Sequence, residues 1–432
     1  MQETHLTTML SLCFLITVCV ARVNGALPNL FQSVLLEEYV NTTGARCLDG
    51  TPVRYWIQQS PPLTSNHSIS LQNRTRWVIH FMGGGWCFDV ASCTVRAFQY
   101  RCYMGSSDPK CFDRETGNDI PGKKFAPVMD LADIPSILGA RWGGGLMIND
   151  PLRNPFTYDW NKVELHYCDG GSFTGNNETV TRVDFNGSKD LPLYFRGQRN
   201  FDAVMTHLVR TYGLGDATDI ILSGDSAGGM AVFLHADHLQ TFLPSSRVVA
   251  VPDSGFFFAD LPAAPQWPRS IEGMALAMNS SLDPLCVAAE ERNSAVKCIR
   301  PDVASQYIHI PTFVMNSMFD PALDEIIENP PEDGKNVTNV RRIGQALVQR
   351  LNETLLSRQP QASGAFLTGC HEHCGQWGTG QGGLFPDYNV SIDGYNGICA
   401  LQEWWETSLR RGGQAGRRLW LQQGEYPCAN CC

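Results

Sequence analysis

The 432-residue chain has no basic run, and its net charge is −10. That excludes the cationic surface needed to neutralise nucleic-acid phosphates or anionic membranes. Long apolar stretches are also missing. Residues 9–20 (MLSLCFLITVCV) are too few to span a bilayer comfortably, and no later run is long and apolar enough. Internal repeats and low-complexity linkers are absent, which argues against a repeat array. The Cys370-His371-Glu372-His373-Cys374 cluster carries zinc-type ligands, but no second C-x-x-C or H-x-x-x-H lies nearby to complete a tetrahedral site.

What is present points outside the cell. The apolar run at 9–20 is followed by Val23-Asn24-Gly25-Ala26, small residues suited to signal-peptidase cleavage, so residues 1–25 read as a signal peptide and 26–432 as one mature domain. Of 16 cysteines, Cys13 and Cys19 fall in that leader, leaving 14 for the mature chain. A large even number suits disulfides in an oxidising compartment, with Cys87–Cys93 and Cys102–Cys111 as plausible local bridges. N-x-[ST] sequons at Asn41, Asn66, Asn73, Asn177, Asn186, Asn279, Asn336, Asn352 and Asn389 fit an N-glycosylated extracellular surface.

Hydrophobic patterning predicts strands alternating with helices. Strands are expected at 77–82, 163–167, 219–223, 248–251, 312–315 and 365–367. Helices are expected at 201–212, 230–243, 340–356 and 398–409, while 100–152 reads as long loops. This alternation predicts an α/β protein with a mostly parallel sheet, whose active site lies at the carboxyl ends of the strands.

Gly224-Asp225-Ser226-Ala227-Gly228 fits G-x-S-x-G directly after one of those strands. Glycine at both flanks lets a strand turn sharply into a helix and present the serine hydroxyl. A serine is a weak nucleophile and needs a base, an orienting acid and oxyanion donors. The N–H of Ala227 would supply one donor at the helix start. The N–H groups of Gly85 and Trp86, in Gly83-Gly84-Gly85-Trp86-Cys87 after the 77–82 strand, would supply the others. In the order Ser, acid, His, the acid is Asp320, Asp324 or Asp253, and the base His371 or His373. Asp225 beside the serine is unexpected, since a carboxylate there disfavours an alkoxide; its side chain is expected to point away from the hydroxyl.

The stretches IHFMGGGWCFDVASC, NPFTYDWNKVELHYCDGGSFTG, LYFRGQRNFDAVM, LSGDSAGG, the C-x-x-H-C at Cys370–Cys374 and the terminal YPCANC together resemble the pectin acetylesterases, a family that includes the Notum deacylases. YCDGGSFTG and GGGWC are nearer the plant-type members. The family commonly has Cys or Ser at the position of Asp225. GDSAGG after a glycine triplet also resembles hormone-sensitive-lipase-type esterases, but that group does not account for the cysteines, YCDGG or YFRG. The resemblance implies an α/β-hydrolase-like serine carboxylesterase needing no metal or organic cofactor. It implies Ser226 as nucleophile, Asp320 as acid, His373 as base, and Gly85, Trp86 and Ala227 as oxyanion donors. The expected substrate is an acetylated polysaccharide such as pectin, met in the extracellular space or cell wall. The alternatives are a fatty-acylated secreted protein, as for Notum, or a non-catalytic secreted binding role.

Overall fold

A computed structural model of the chain describes residues 31–60, 75–99, 104–108, 144–259, 266–290, 294–323, 337–359, 362–375, 377, 390–409, 417–428 and 431–432. The leader at 1–25, Cys102, Cys111, Asp324 and most of the 100–152 segment lie outside the described residues.

Nine strands form one sheet. In chain order they are β1 (Gln32–Leu35), β2 (Arg54–Gln58), β3 (Arg76–Phe81), β4 (Asn161–Leu165), β7 (Asp219–Asp225), β8 (Arg247–Asp253), β9 (Phe313–Ser317), β10 (Gly364–Thr368) and β11 (Leu419–Leu421). Their spatial order is β1-β2-β4-β3-β7-β8-β9-β10-β11, with β5 (Thr181–Phe185) and β6 (Ser188–Leu193) making a separate hairpin. β1 and β2 run antiparallel at one edge, and every pairing from β4 to β11 is parallel. This is the expected α/β-hydrolase-like sheet.

Parallel strands need crossovers, and the helices supply them. The principal ones are α1 (Val90–Phe98), α2 (Gly197–Tyr212), α3 (Ala227–Phe242), α4 (Gln266–Ala277), α5 (Val337–Leu351) and α6 (Gly397–Trp404). In α2, Phe201, Val204, Met205 and Leu208 share one buried face, and Gly213 ends the helix in the left-handed region at φ 76°. α3 is buried on nearly all sides because its AGGMAVFL start passes beneath the loops that follow β3 and β8. β7 is entirely buried at the centre of the sheet, which accounts for its unbroken Ile220-Ile221-Leu222 run.

The predicted strands and helices are recovered, and others are added. The 340–356 pattern divides into α5 and a π-helical turn at Asn352–Leu356, and α6 likewise passes into one at Trp405–Leu409. Among the described residues, disulfides join Cys47–Cys168, Cys87–Cys93, Cys286–Cys298, Cys370–Cys432 and Cys428–Cys431. The Cys87–Cys93 bridge is one of the two expected from spacing, and the other, Cys102–Cys111, lies outside the described residues. No helix among the described residues is long and apolar enough to cross a membrane.

Candidate active site

Six neighbouring parallel strands, β4-β3-β7-β8-β9-β10, deliver their carboxyl ends to one edge of the sheet. After β3 comes Gly83-Gly84-Gly85-Trp86, after β7 Ser226, at the end of β8 Asp253, after β9 Asp320 and after β10 His373. Residues far apart in the chain therefore meet because their strands are adjacent.

Ser226 sits between β7 and α3 at φ 56°, ψ −120°, a conformation that L-residues rarely adopt. Its N–H donates to the Asp253 carbonyl at 2.9 Å, tying the turn to the next strand. The small residues around it are a packing requirement. A Cβ on Gly228 would lie 2.2 Å from the Phe81 carbonyl oxygen, and one on Gly83 would lie 2.4 Å from that of Asp225. β3 and its glycine loop can therefore lie directly against the elbow only because side chains are missing there.

β9 and β10 pair with Ser317 opposite Thr368, so the loops leaving them run side by side. Asp320 is 1% exposed, and both of its carboxylate oxygens lie 2.9 Å from His373 Nδ1. Oδ1 also accepts the Ala322 N–H at 2.8 Å, which fixes the carboxylate plane. Burial works against a charged His373, but Asp320, with Asp225 and Asp253 adding to it, outweighs burial and holds the imidazole above its ordinary pKa. The ring remains partly exposed. His371 instead packs against Tyr426, ring centroids 5.1 Å apart.

Asp253 takes a different part from the one its sequence position allowed. Its Oδ2 accepts the Gly375 N–H at 3.2 Å and the Trp377 indole at 2.9 Å, while Ser254 Oγ accepts the Cys374 N–H at 2.8 Å. The end of β8 thus holds both the elbow and the histidine loop. Burial, with Asp225 adding to it, pushes the Asp253 carboxyl up to about 7. Among the described residues, no hydrogen bond joins the Ser226 hydroxyl to His373.

Asp225 turns away from the cleft, as expected. Its Oδ1 lies 2.9 Å from His80 Nε2, and His80 Nδ1 lies 3.3 Å from Ser223 Oγ. Glu164 stands opposite His80 across the β3–β4 pairing, fully buried with neither carboxylate oxygen hydrogen-bonded, and burial pushes its pKa up to about 8. Burial alone would lower the pKa of His80, but Glu164 and Asp225 together raise it.

His80 is not among the residues expected at the site, although a histidine within the apolar run Trp77-Val78-Ile79-His80-Phe81 signals a buried polar partner. The YCDGGS stretch likewise carries no local pattern that assigns it a chemical part.

Gly85 has φ 62°, and a Cβ there would meet open space. Trp86 packs edge-on against Phe257 at 5.0 Å, and Phe257 lies 6.4 Å from the His373 ring. Trp267 closes this group 6.1 Å from Trp86. Among the described residues, no group of three or more His, Cys, Asp or Glu is arranged to hold a metal.

An elbow serine, a buried aspartate–histidine pair and a glycine-rich loop at the carboxyl edge of such a sheet belong to an esterase of α/β-hydrolase type. The chain belongs to the pectinacetylesterase family, whose profile matches residues 28–116 and 140–432. It is 31% identical over 298 residues to pectin acetylesterase 5 of Arabidopsis thaliana, covering 68% of this chain and 58% of that protein's length. To pectin acetylesterase 7 of the same plant it is 29% identical over 368 residues, 81% of this chain and 80% of the relative. The palmitoleoyl-protein carboxylesterase NOTUM of Schmidtea mediterranea is 26% identical over 362 residues, 79% of this chain and 58% of that protein.

Proposed function

We propose that the protein is an exported serine esterase that removes O-acetyl groups from an acetylated polysaccharide such as pectin, with Ser226 as nucleophile, His373 as base and Asp320 as the acid that orients it. The observation that carries this reading is the Asp320–His373 pair, held at the same sheet edge as the strained Ser226 turn. His373 Nδ1 is committed to Asp320, so the opposite nitrogen takes the serine proton as Oγ attacks the acetyl carbonyl. The hydrogen bond that carries this proton forms in the complex with substrate. The N–H groups of Gly85, Trp86 and Ala227 receive the developing oxyanion, each such donor contributing about 3–4 kcal/mol. His373 then returns the proton to the departing sugar oxygen, and the same base activates water to release acetate.

Export and N-glycosylation belong to the same reading. Asn41, Asn186, Asn279 and Asn352 are exposed, as acceptor sites must be. The acetyl preference draws on the identity to pectin acetylesterases over most of the chain. A series of p-nitrophenyl esters tests it: turnover falling steadily beyond acetate and butyrate agrees, while preference for C8 or longer favours removal of a fatty acyl group from a protein. Loss of both acetyl-ester hydrolysis and fluorophosphonate labelling would return the chain to a non-catalytic binding role.

A further inference from the structure

The peptides of the glycine loop are held from behind. The Gly84 carbonyl accepts from Arg96 Nη2 at 2.9 Å, and the Gly85 carbonyl accepts from Tyr167 Oη at 2.8 Å. In a trans peptide the carbonyl oxygen and the following N–H point to opposite sides. Drawing these two oxygens back therefore turns the N–H groups of Gly85 and Trp86 the other way.

The same network reaches the elbow helix. Ser172 Oγ donates to the Ala227 carbonyl at 2.7 Å and accepts the Trp86 indole N–H at 2.8 Å. Tyr167 Oη accepts the Ser172 N–H at 3.1 Å. An indole and a backbone amide can only donate, so the two hydroxyl protons have one direction each: Ser172 toward Ala227, Tyr167 toward Gly85. Arg96 is anchored by its Nε bond to the Met104 carbonyl at 3.0 Å and lies over the Tyr167 ring at 5.2 Å. Asp169 accepts the N–H groups of Gly171 and Phe173 at 3.1 and 3.0 Å, folding the turn in which Ser172 sits at φ 51° and Phe173 at φ 59°. Tyr167 and Ser172 are both fully buried.

We propose that Tyr167 and Arg96 are positioning residues that aim the oxyanion-binding peptides without touching substrate, and that Ser172 acts through them, fixing the Tyr167 hydroxyl and the Trp86 indole and tying both to the elbow helix at the Ala227 carbonyl. The assignment rests on Ser226 being the nucleophile. Their hydrogen bonds convert the YCDGGS turn after β4 into a brace for two loops on neighbouring strands.

The test uses Tyr167→Phe, Ser172→Ala, Arg96→Lys and Ser226→Ala in the full-length protein. For Tyr167→Phe, kcat on p-nitrophenyl acetate is expected to fall about 10- to 100-fold, with KM changed less than about threefold. Inhibition by a trifluoromethyl ketone, which forms a serine-bound oxyanion, should weaken by the same factor. The acid limb of the pH profile should stay in place, because the Asp320–His373 pair is untouched; a merely structural defect would lower the folded fraction without changing turnover per folded molecule. Ser172→Ala and Arg96→Lys should lose kcat in the same sense, and they carry the test if Tyr167→Phe does not fold. Wild-type kcat in the folded variants, with Ser226→Ala inactive, overturns this assignment alone. An active Ser226→Ala overturns the nucleophile reading and this one with it.

Discussion

Asp225 and His80 form a buried pair, Oδ1 to Nε2 at 2.9 Å, immediately behind the Ser226 turn. The carboxylate beside the proposed nucleophile is thus given a partner on the next strand, which removes the conflict that the GDSAG sequence raises. The pair acts on the elbow's structure. Asp225→Ser leaves His80 without this acceptor and is expected to cost about 2–3 kcal/mol of stability, with kcat reduced less than about tenfold. Adding His80→Gln to Asp225→Ser should recover part of the lost stability in a denaturant titration, and a strictly additive double mutant would contradict the pairing.

Glu164 gives a pH dependence of known sign. Its folded pKa is raised to about 8 by burial, above the ordinary carboxylate value of 4.5. The folded state then binds more protons than the unfolded state between those values, so the contribution is fully present below the lower pKa and lost as pH rises through the higher one. Glu164→Gln is expected to flatten the fall in Tm between pH 5 and pH 9. An unchanged slope would remove Glu164 as its source.

Much of this architecture was legible in the sequence, for physical reasons that differ between elements. The strands β3, β7, β8, β9 and β10 are buried on both faces and read as apolar runs. The short edge strands β1 and β11 and the exposed β5–β6 hairpin carry no such pattern, and in β2 the apolar stretch Tyr55-Trp56-Ile57 is too short to read as a strand. α1 was hidden because its start is marked by a reciprocal Asp89–Ser92 capping box rather than by a long apolar stripe. Chain order narrowed the acid and base to a few candidates. Choosing among them on geometry required the β9–β10 register, which decides whose loops touch. The links from His80 to Asp225 and from Tyr167 to Gly85 cross between strands far apart in sequence, so no local pattern announces them.

The Asp320–His373 pair predicts a second pH effect. In the proposed mechanism His373 must be neutral to accept the serine proton, and Asp320, with Asp225 and Asp253 adding to it, holds its pKa above the ordinary 6.5. The acid limb of kcat/KM is expected to lie above that value in the wild type. Asp320→Asn should move the limb to lower pH and reduce kcat by about 10³- to 10⁴-fold. A limb that stays in place assigns it to another group.

Three of the site's loops are each anchored by a disulfide close to a candidate residue: Cys87–Cys93 next to Trp86, Cys47–Cys168 next to Tyr167 and Cys370–Cys432 three residues before His373. Cys370→Ser with Cys432→Ser is expected to lower kcat while far-ultraviolet circular dichroism stays native, because the brace acts on the histidine loop after β10. Full activity in that variant would show that the Asp320 and Ser254 hydrogen bonds hold the loop alone.

The most direct test of the central claim is acetate release from acetylated pectin by the wild-type protein and by Ser226→Ala, at matched folded concentration. The wild type is predicted to release acetate, and Ser226→Ala to fall by at least about 10³-fold, toward the uncatalysed rate. Equal release by the two proteins would contradict the assignment of Ser226 and of the site built around it.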